Sequence, residues 1–276
     1  MEAILGVNYG DKHQDSRKID LFLPGANANG SAILFIHGGG WRGGSREQWH
    51  EVANAFASKG YFAASAGYRF APEWKFPSQV EDARLMMAFM RTGAARYGYR
   101  ANAIAAVGSS SGAHLVGMLA TIAPEDPLGA TDELVMRDTR PDAAVCYCPV
   151  ATLIGGERHT AEDAKMIRDF IGKREGRAPE LYRLASPIER VKGGEPPFLF
   201  LHGDSDKLVP AWHSTRMAER LVAAGGKAEV VIFPGVEHGF GYGVTTEAQK
   251  ASIEHIRRFL ARCFGSQGLG TAAGRP

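Results

Sequence analysis

Short apolar runs alternate with helical patterns along most of the chain, and this alternation restricts the fold more than any other feature. Four runs are continuously apolar, as expected of strands covered on both faces: 32–36, 103–107, 143–148 and 198–201. Between the first two runs, the apolar residues of 78–97 recur at steps of three and four, which predicts a helix. Such an alternation predicts right-handed βαβ units, and so an α/β fold with a mostly parallel central sheet and helices on both faces.

Weaker patterns fill the rest of this alternation. The alternating residues 19–23 predict a half-exposed edge strand that ends at Pro24. The spacing breaks once, between Pro149 and Pro196, where 161–171 has a helical pattern and the remainder predicts loop. An insertion of this length is usually a lid or a binding segment. Further strands are predicted over 61–66 and 229–233, and further helices over 46–59, 113–122, 209–224 and 246–264.

The length of the chain is compatible with one domain. Although 276 residues would also suit two domains, α/β proteins often reach this length as one. We therefore expect a single domain over residues 1–264, with a lid-like insertion at about 150–195. The Gly- and Ala-rich residues 265–276 are expected to be a disordered tail.

The composition argues against several kinds of partner and location. With 45% apolar and 22% charged residues, the chain has the balance of an ordinary globular protein. No stretch approaches the ~20 uninterrupted apolar residues of a membrane span. A formal charge of +2 without a dense basic stripe argues against a nucleic-acid partner. The cysteines Cys146, Cys148 and Cys263 are too sparse for a disulfide framework, and residues 1–10 carry no visible secretory signal, so we expect a cytoplasmic location.

A Gly-x-Ser-x-Gly sequence with Ser110 at its centre is the first candidate for chemistry. It lies between the predicted strand 103–107 and the predicted helix 113–122, which is the strand–turn–helix context of a nucleophile elbow. In such an elbow the serine has a strained backbone, and Gly108 and Gly112 let neighbouring segments approach. The N-terminus of the helix then favours negative charge at the reacting centre. The alternatives are a loop that only turns the chain and a phosphate-binding loop.

Three consecutive glycines, Gly38 to Gly40, follow the apolar run 32–36 and His37. Such a sequence costs backbone entropy, and its use would be to let bare amide N–H groups face a ligand oxygen. Two of these amides, together with the N–H of Ser111, would form a three-donor oxyanion hole. A His-Gly-Gly-Gly sequence in this place is typical of lipases and esterases. The alternative is a flexible loop after a strand.

Two carboxylates follow the predicted strand 198–201 in the turn 202–206. Either could orient an imidazole, and on elbow-type folds the acid lies between the serine and the histidine in the chain. We favour Asp206 as the acid, with Asp204 forming the turn or capping a helix. Ordinary turn chemistry is the alternative for each. A divalent-metal site built from His202, Asp204 and Asp206 is a further alternative, although the sequence lacks a second His-rich segment to complete it.

Nine histidines compete for the role of base, but only His213, His238 and His255 lie beyond Asp206. His213 and His255 fall within predicted helices, where a surface or core role is expected. His238 lies in a loop after the last predicted strand, so its ring could swing over the strand ends to meet Ser110. The alternative for His238 is a surface loop histidine.

Taken together, these motifs resemble the α/β-hydrolase superfamily. They are most similar to the esterase branch that includes hormone-sensitive-lipase-like carboxylesterases, the smaller BD-FAE-like esterases and kynurenine formamidases. Only 36 residues precede His37, which leaves little room for the cap helices of the larger enzymes and favours the smaller branch. The matching segments, which together span nearly the whole chain, are His37–Trp41, Tyr68–Pro72, Gly108–Gly112, Ala185–Ile188, His202–Pro210 and Glu237–Phe240.

The resemblance implies an α/β-hydrolase fold with a small lid and a Ser-His-Asp triad, without a cofactor or a metal. Ser111 stands where the family usually has alanine, a change that leaves the backbone N–H donor in place. The site residues that the resemblance implies are the nucleophile Ser110, the acid Asp206, the base His238 and the oxyanion-hole amides of Gly39, Gly40 and Ser111.

On these grounds we expect a carboxylesterase-type serine hydrolase that cleaves a small-molecule ester through an acyl-enzyme. Trp41, next to the glycines, is a large ring that could shorten the acyl side of the cleft or could simply pack in the core. The chain offers little material to enclose a deep apolar tunnel, which favours short acyl groups. The alternatives are an amidase such as a kynurenine formamidase and a ligand-binding relative without catalysis. A homo-oligomer is compatible with the sequence.

Overall fold

The computed structural model describes residues 2–155 and 160–265. Its strands form one mixed sheet. Its strands in chain order are β1 Ala3–Asn8, β2 Lys18–Phe22, β3 Ala32–Ile36, β4 Phe62–Ala66, β5 Ile104–Ser109, β6 Ala143–Tyr147, β7 Phe198–Gly203 and β8 Ala228–Phe233. Their order across the sheet is β1-β2-β4-β3-β5-β6-β7-β8. β2 pairs antiparallel with both of its neighbours, and all pairs from β4 to β8 are parallel.

Helices connect most of the parallel strands. They are α1 His50–Ala57, α2 Ser78–Tyr97, α3 Ser111–Thr121, α4 Ala161–Ile171, α5 Pro179–Leu184, α6 Pro187–Arg190, α7 Trp212–Ala223 and α8 Glu247–Phe264, with short 3-10 turns at Arg46–Trp49 and Glu175–Arg177. Within the described ranges, no helix is long and apolar enough to cross a membrane. The three cysteines are free thiols.

The strands bury side chains on both faces because helices cover both. In β3, Leu34 and Ile36 belong to one apolar cluster, whereas Ile33 and Phe35 belong to a second. The first cluster includes side chains of α2, α3 and α7, and the second includes those of α1 and α8. This arrangement confirms the mostly parallel sheet with helices on both faces that the alternation predicts.

The strand predicted at the edge of the sheet is not at the edge. β1 pairs with β2 and covers it, and Asp20 of β2 is only 1% exposed. A buried carboxylate needs partners, and Asp20 has three: Oδ1 accepts the Gly6 amide (2.6 Å), and Oδ2 pairs with Arg46 (2.7 Å) and His50 (2.9 Å). The prediction of a half-exposed strand was therefore wrong, because the polar residue in the alternation is buried and paired.

The segment between β6 and β7 has no strand among its described residues, as the spacing predicts. Its helix α4 has the predicted bounds, but α5 and α6 occupy part of the stretch predicted as loop. Both short helices begin with a proline, Pro179 and Pro187, where a missing amide N–H costs no hydrogen bond. The tail predicted to be disordered lies outside the described residues from position 266 onward.

Helix α7 begins at Trp212 rather than at the predicted Val209. The residues before it form a turn instead, because Asp206 Oδ1 accepts the amides of Leu208 (3.0 Å) and Val209 (2.8 Å). The carboxylate that shapes this turn is thereby fixed at the end of β7.

The parallel strands bring the candidate residues to one edge of the sheet. Ile36 at the end of β3 is in register with Gly108 of β5, and Gly203 at the end of β7 is in register with Phe233 at the end of β8. The loops that follow β3, β5, β7 and β8 therefore leave the sheet at the same edge. This edge is where ligands bind in open α/β sheets.

Candidate active site

Ser110 lies in the sharp turn between β5 and α3. Its φ of 54° and ψ of −121° are a strained combination for a residue with a side chain. Its amide donates to Tyr147 O (2.8 Å) and its carbonyl accepts from His114 N (2.9 Å), and these bonds hold the strained turn. Ser110 therefore stands at the N-terminus of α3, where the helix dipole favours negative charge.

The two glycines of the motif are required by close packing. A Cβ on Gly108 would collide with Gly112, and a Cβ on Gly112 would collide with the carbonyl oxygens of Ile36 and His37. The serine turn therefore packs directly on the end of β3, where the triple-glycine loop begins.

The triple-glycine loop presents amides without a hydrogen-bond partner among the described residues. Gly39 (φ 114°) and Gly40 (φ 61°) have left-handed backbones, and a Cβ on Gly39 would collide with Gly43. Within the described part of the chain, the amides of Gly39, Gly40 and Ser111 donate no hydrogen bond. All three residues line the same cavity as Ser110. An oxygen bound in this cavity could therefore accept from them.

Gly38 differs from Gly39 and Gly40 because its amide already donates a hydrogen bond. It donates to Tyr242 Oη at 2.6 Å. Tyr68 Oη donates to His37 O (3.1 Å), and the Tyr68 ring stacks on the His37 ring at 4.4 Å. Two tyrosines thus fix the start of the glycine loop. The sequence analysis did not identify Tyr242, although its position four residues after His238 places it in the same loop.

Asp206 and His238 are joined across the loops that follow β7 and β8. His238 Nδ1 donates to Asp206 Oδ2 at 2.6 Å, whereas Asp206 Oδ1 holds the turn described above. Burial alone would raise the pKa of Asp206. Hydrogen bonds from the side chains of His202 and His238 and from the Val209 amide outweigh burial and hold that pKa well below its usual range. Asp206 is therefore an ionised carboxylate that accepts a hydrogen bond from the Nδ1–H of His238.

Asp204 does not reach this histidine. Its side chain is exposed, and its Oδ1 accepts the Gly235 amide at 2.7 Å, which links the turn after β7 to the one after β8. Of the two carboxylates in the motif, the structure brings only Asp206 to His238.

The side chains considered for a metal do not come together as a set. Among the described residues, the group close enough to share an ion is Cys148, His202 and Asp206, without Asp204. His202 Nε2 donates to Val209 O, and Nδ1 is bonded to Ser214 Oγ, both at 2.7 Å. His202 is thus part of the hydrogen-bonded support around Asp206.

Ser110, His238 and the glycine loop line one cavity of about 240 Å³. Apolar side chains from three other segments complete its wall: Val150, Met166, Leu208 and Val209. None of these was identified from the sequence, because they come from the segment after β6, from α4 and from the turn before α7. A few polar groups within a mostly apolar cleft are typical of a small-molecule site.

Trp41 packs in the core at the wall of this cavity. Its ring is 1% exposed, stacks on Phe170 at 4.4 Å and donates from Nε1 to His114 Nδ1 at 3.2 Å. It also lines the cavity beside Gly40. Core packing therefore fixes the ring that closes one side of the cleft.

His114, which lies in α3, links this helix to Trp41 and to the segment after β6. Because its Nδ1 accepts from Trp41, its proton lies on Nε2, which donates to Ala185 O at 2.7 Å. Burial lowers the pKa of His114 to about 4, and it does the same for His37. Both rings are therefore neutral at pH 7.

Solved esterases superpose on this chain over almost its whole length. The native structure of Est2, a thermophilic esterase from the planctomycete Thermogutta terrifontis, superposes with a TM-score of 0.80 at 26% identity, over 98% of this chain and 95% of Est2. The butyrate-bound form of Est2 gives a TM-score of 0.78 at 26% identity, over 99% and 96% of the two chains. The sheet order and these neighbours define an α/β-hydrolase fold.

The sequence model of the BD-FAE family matches residues 19–221. The chain therefore belongs to the BD-FAE family, as the resemblance implies. The esterase LipC of Mycobacterium tuberculosis is 33% identical over 242 residues, which are 83% of this chain and 59% of LipC. The chain thus spans about three fifths of the length of this curated relative.

We expect His114 to make the fold less stable as the pH falls from 7 toward 4. The pKa of His114 is lowered from its ordinary 6.5 to about 4 in the fold, so between these values the unfolded chain binds a proton that the folded protein does not. The resulting loss is about 3 kcal/mol at pH 4. The measurement is the free energy of unfolding in urea between pH 4 and 8, for the wild type and for His114→Gln.

The glutamine variant should be less stable than the wild type at pH 7, because the packing and hydrogen bonds of the ring are lost. Since glutamine does not titrate, this deficit should shrink steadily as the pH falls below 6.5. A deficit that stays constant from pH 8 to pH 4 would contradict the neutral state assigned to His114.

Proposed function

We propose that this protein is a carboxylesterase-type serine hydrolase with Ser110 as the nucleophile, His238 as the base and Asp206 as the acid. The observation that carries the proposal is the convergence on one cavity of three features. These are a strained serine at a helix N-terminus, a histidine bonded at 2.6 Å to a buried carboxylate, and amides that have no partner in the part of the chain that the structure describes. LipC and Est2 are named as esterases, which supports a carboxylic ester as the substrate.

In the proposed reaction, Nε2 of neutral His238 accepts the proton of the Ser110 hydroxyl as its oxygen attacks the acyl carbon. Asp206 keeps the proton of the ring on Nδ1, which leaves Nε2 free to accept, and it stabilises the imidazolium that forms. The imidazolium then protonates the leaving alcohol. Water activated by His238 hydrolyses the acyl-serine and restores the enzyme.

The oxyanion of each tetrahedral intermediate would accept from Gly39, Gly40 and Ser111. A single donor of this kind typically contributes about 3 kcal/mol to transition-state stabilisation. The Gly38 amide already donates to Tyr242. The glycine amides left for the oxyanion are therefore those of Gly39 and Gly40, which follow Gly38 in the loop.

A preference for short acyl groups is part of the proposal. The cavity holds about 240 Å³, and Trp41 closes one side of it in a position fixed by stacking on Phe170. Met166 lies against Gly40, so closely that a Cβ on Gly40 would collide with its sulfur. Est2, which shares the fold, has been solved with butyrate bound. These observations support acetyl and similarly small acyl groups.

The proposed nucleophile is tested by covalent labelling. We expect Ser110→Ala to abolish labelling by a fluorophosphonate probe and hydrolysis of p-nitrophenyl acetate, because the substitution removes the proposed attacking hydroxyl. Ser109→Ala and Ser111→Ala are the matched controls from the same turn, and both should retain labelling. Ser110→Ala protein that still reacts with the probe would overturn the assignment.

The proposed acid is tested by comparing the two carboxylates of one turn. Asp206→Asn should lower kcat by about 10³- to 10⁴-fold, because the amide favours the wrong tautomer of His238. Asp204→Asn should change kcat far less, since asparagine can still accept from the Gly235 amide. In Asp206→Asn, the asparagine oxygen can still hold the turn at Leu208 and Val209. Circular dichroism should therefore show both variants folded. The reverse ranking of the two variants is the outcome that excludes Asp206 as the acid.

The acyl preference is tested with p-nitrophenyl esters from C2 to C12 below their micellar concentrations. We expect kcat/KM to be highest for acetate and lower for butyrate, because the enclosed space beside Gly40 is small and a longer chain would leave methylenes in water. A maximum at C8 or longer would show instead that the cleft binds long chains, as in lipases.

A further inference from the structure

The proposed catalytic cavity adjoins a second, smaller cavity of about 90 Å³. This second cavity, called the side pocket below, lies between α4 and the segment 207–213. Neither Ser110 nor His238 lines it. The residues that line both cavities, and so form the wall between them, are Trp41, Val150, Asp163, Met166, Leu208 and Val209.

Most of this wall is held in place by its own contacts. Trp41 is fixed by its stacking on Phe170 and its hydrogen bond to His114. Asp163 is fixed in the cap of α4, where its Oδ2 accepts from Thr160 Oγ1 at 2.7 Å.

The other wall residues differ in how far their side chains can separate the two cavities. Leu208 is 61% exposed and so lies largely in solvent. Val150 and Val209 are short and β-branched, with little rotamer freedom. Met166 is the one long, unbranched side chain of the wall, with three rotatable bonds and a polarisable sulfur that can fill an irregular gap.

The backbone that carries Met166 is anchored to the glycine loop. Phe170 of α4 stacks on Trp41, and its carbonyl accepts the Phe76 amide at 2.8 Å. Asp169 pairs with Arg42 at 3.4 Å. With its helix held in this way, Met166 places its sulfur against Gly40, between the proposed oxyanion hole and the side pocket. A change at this side chain would alter the wall between the two cavities without moving the helix.

The chemistry of the proposed reaction decides which half of the ester points toward the side pocket. His238 must protonate the leaving alcohol, so the alcohol lies on the side of the cavity that holds His238. The acyl group then takes the other side. We assign the side pocket to this acyl side, because His238 does not line it and its wall contains apolar groups such as Ile167 and Pro210.

We propose that Met166 determines the acyl length that this protein accepts, by closing the passage from the catalytic cavity to the side pocket. The side pocket is an apolar acyl subsite that unbranched aliphatic chains enter once the passage is open. This inference rests on the proposed ester hydrolysis and names the residue that sets its specificity.

The test compares Met166→Ala, Met166→Leu and Met166→Phe with the wild type on p-nitrophenyl acetate, butyrate and hexanoate. Each methylene that becomes buried contributes about fourfold. We therefore expect Met166→Ala to raise the hexanoate-to-acetate ratio of kcat/KM by tenfold or more. Met166→Leu, which conserves volume, should keep this ratio within about threefold of the wild type. Met166→Phe should lower the butyrate-to-acetate ratio of kcat/KM. This variant tests the role of Met166 if the alanine variant does not fold.

A series of alkyl acetates, with a constant acyl group and a lengthening alcohol, is the second arm. The Met166 variants should leave this alcohol profile unchanged. A shift in the alcohol series instead of the acyl series would overturn the assignment of the side pocket to the acyl chain. Folded variants that hydrolyse p-nitrophenyl acetate with the acyl profile of the wild type would overturn the role of Met166 alone. A wild-type protein that hydrolyses none of these esters would instead refute the proposed function.

Discussion

The contact between Gly112 and the carbonyl oxygens that end β3 is the constraint on which the site depends. The register that pairs Ile36 with Gly108 brings the serine turn and the glycine loop out of the sheet side by side. A Cβ at position 108 or 112 would force the two segments apart. Because a donor of the proposed oxyanion hole can act only within hydrogen-bond reach of the proposed nucleophile, these two glycines govern the distance between the two segments. The strained backbone of Ser110 is held by the same packing.

Polar groups at the strand ends are fixed by hydrogen bonds, since the regular pairing of the sheet stops there. Asp206 is an example, because its one carboxylate shapes the turn before α7 with Oδ1 and orients His238 with Oδ2. Tyr242 joins the loop that carries His238 to the amide of Gly38. The hydroxyl of Tyr242 thus connects the loop of the proposed base to the loop of the proposed oxyanion hole, in addition to the sheet beneath them.

The parts of the fold that the sequence predicts well are those in which local pattern and tertiary environment agree. β3 and α2 have the predicted bounds, and Ser110 follows its strand as the motif requires. The predictions fail where a distant partner decides the outcome. Asp20 looks exposed in the sequence, but inside the sheet its carboxylate is bonded to Arg46 and His50. The cavity wall around Met166 could not be predicted from the sequence either, because a helical pattern at 161–171 does not reveal which loop the helix covers.

The attachment of α4 to the glycine loop has a consequence for how specificity and catalysis are divided in this fold. The ring of Trp41 packs on α4 through Phe170, while its backbone carbonyl accepts the Ala71 amide at 2.8 Å. A substitution at either ring would therefore disturb the glycine loop as well as the cleft. The face of α4 that meets the cavity carries Asp163 and Met166 one turn apart, and neither touches Ser110 or His238 through a hydrogen bond. In the proposed reaction, these two positions can change the shape of the cleft while the triad geometry stays as it is.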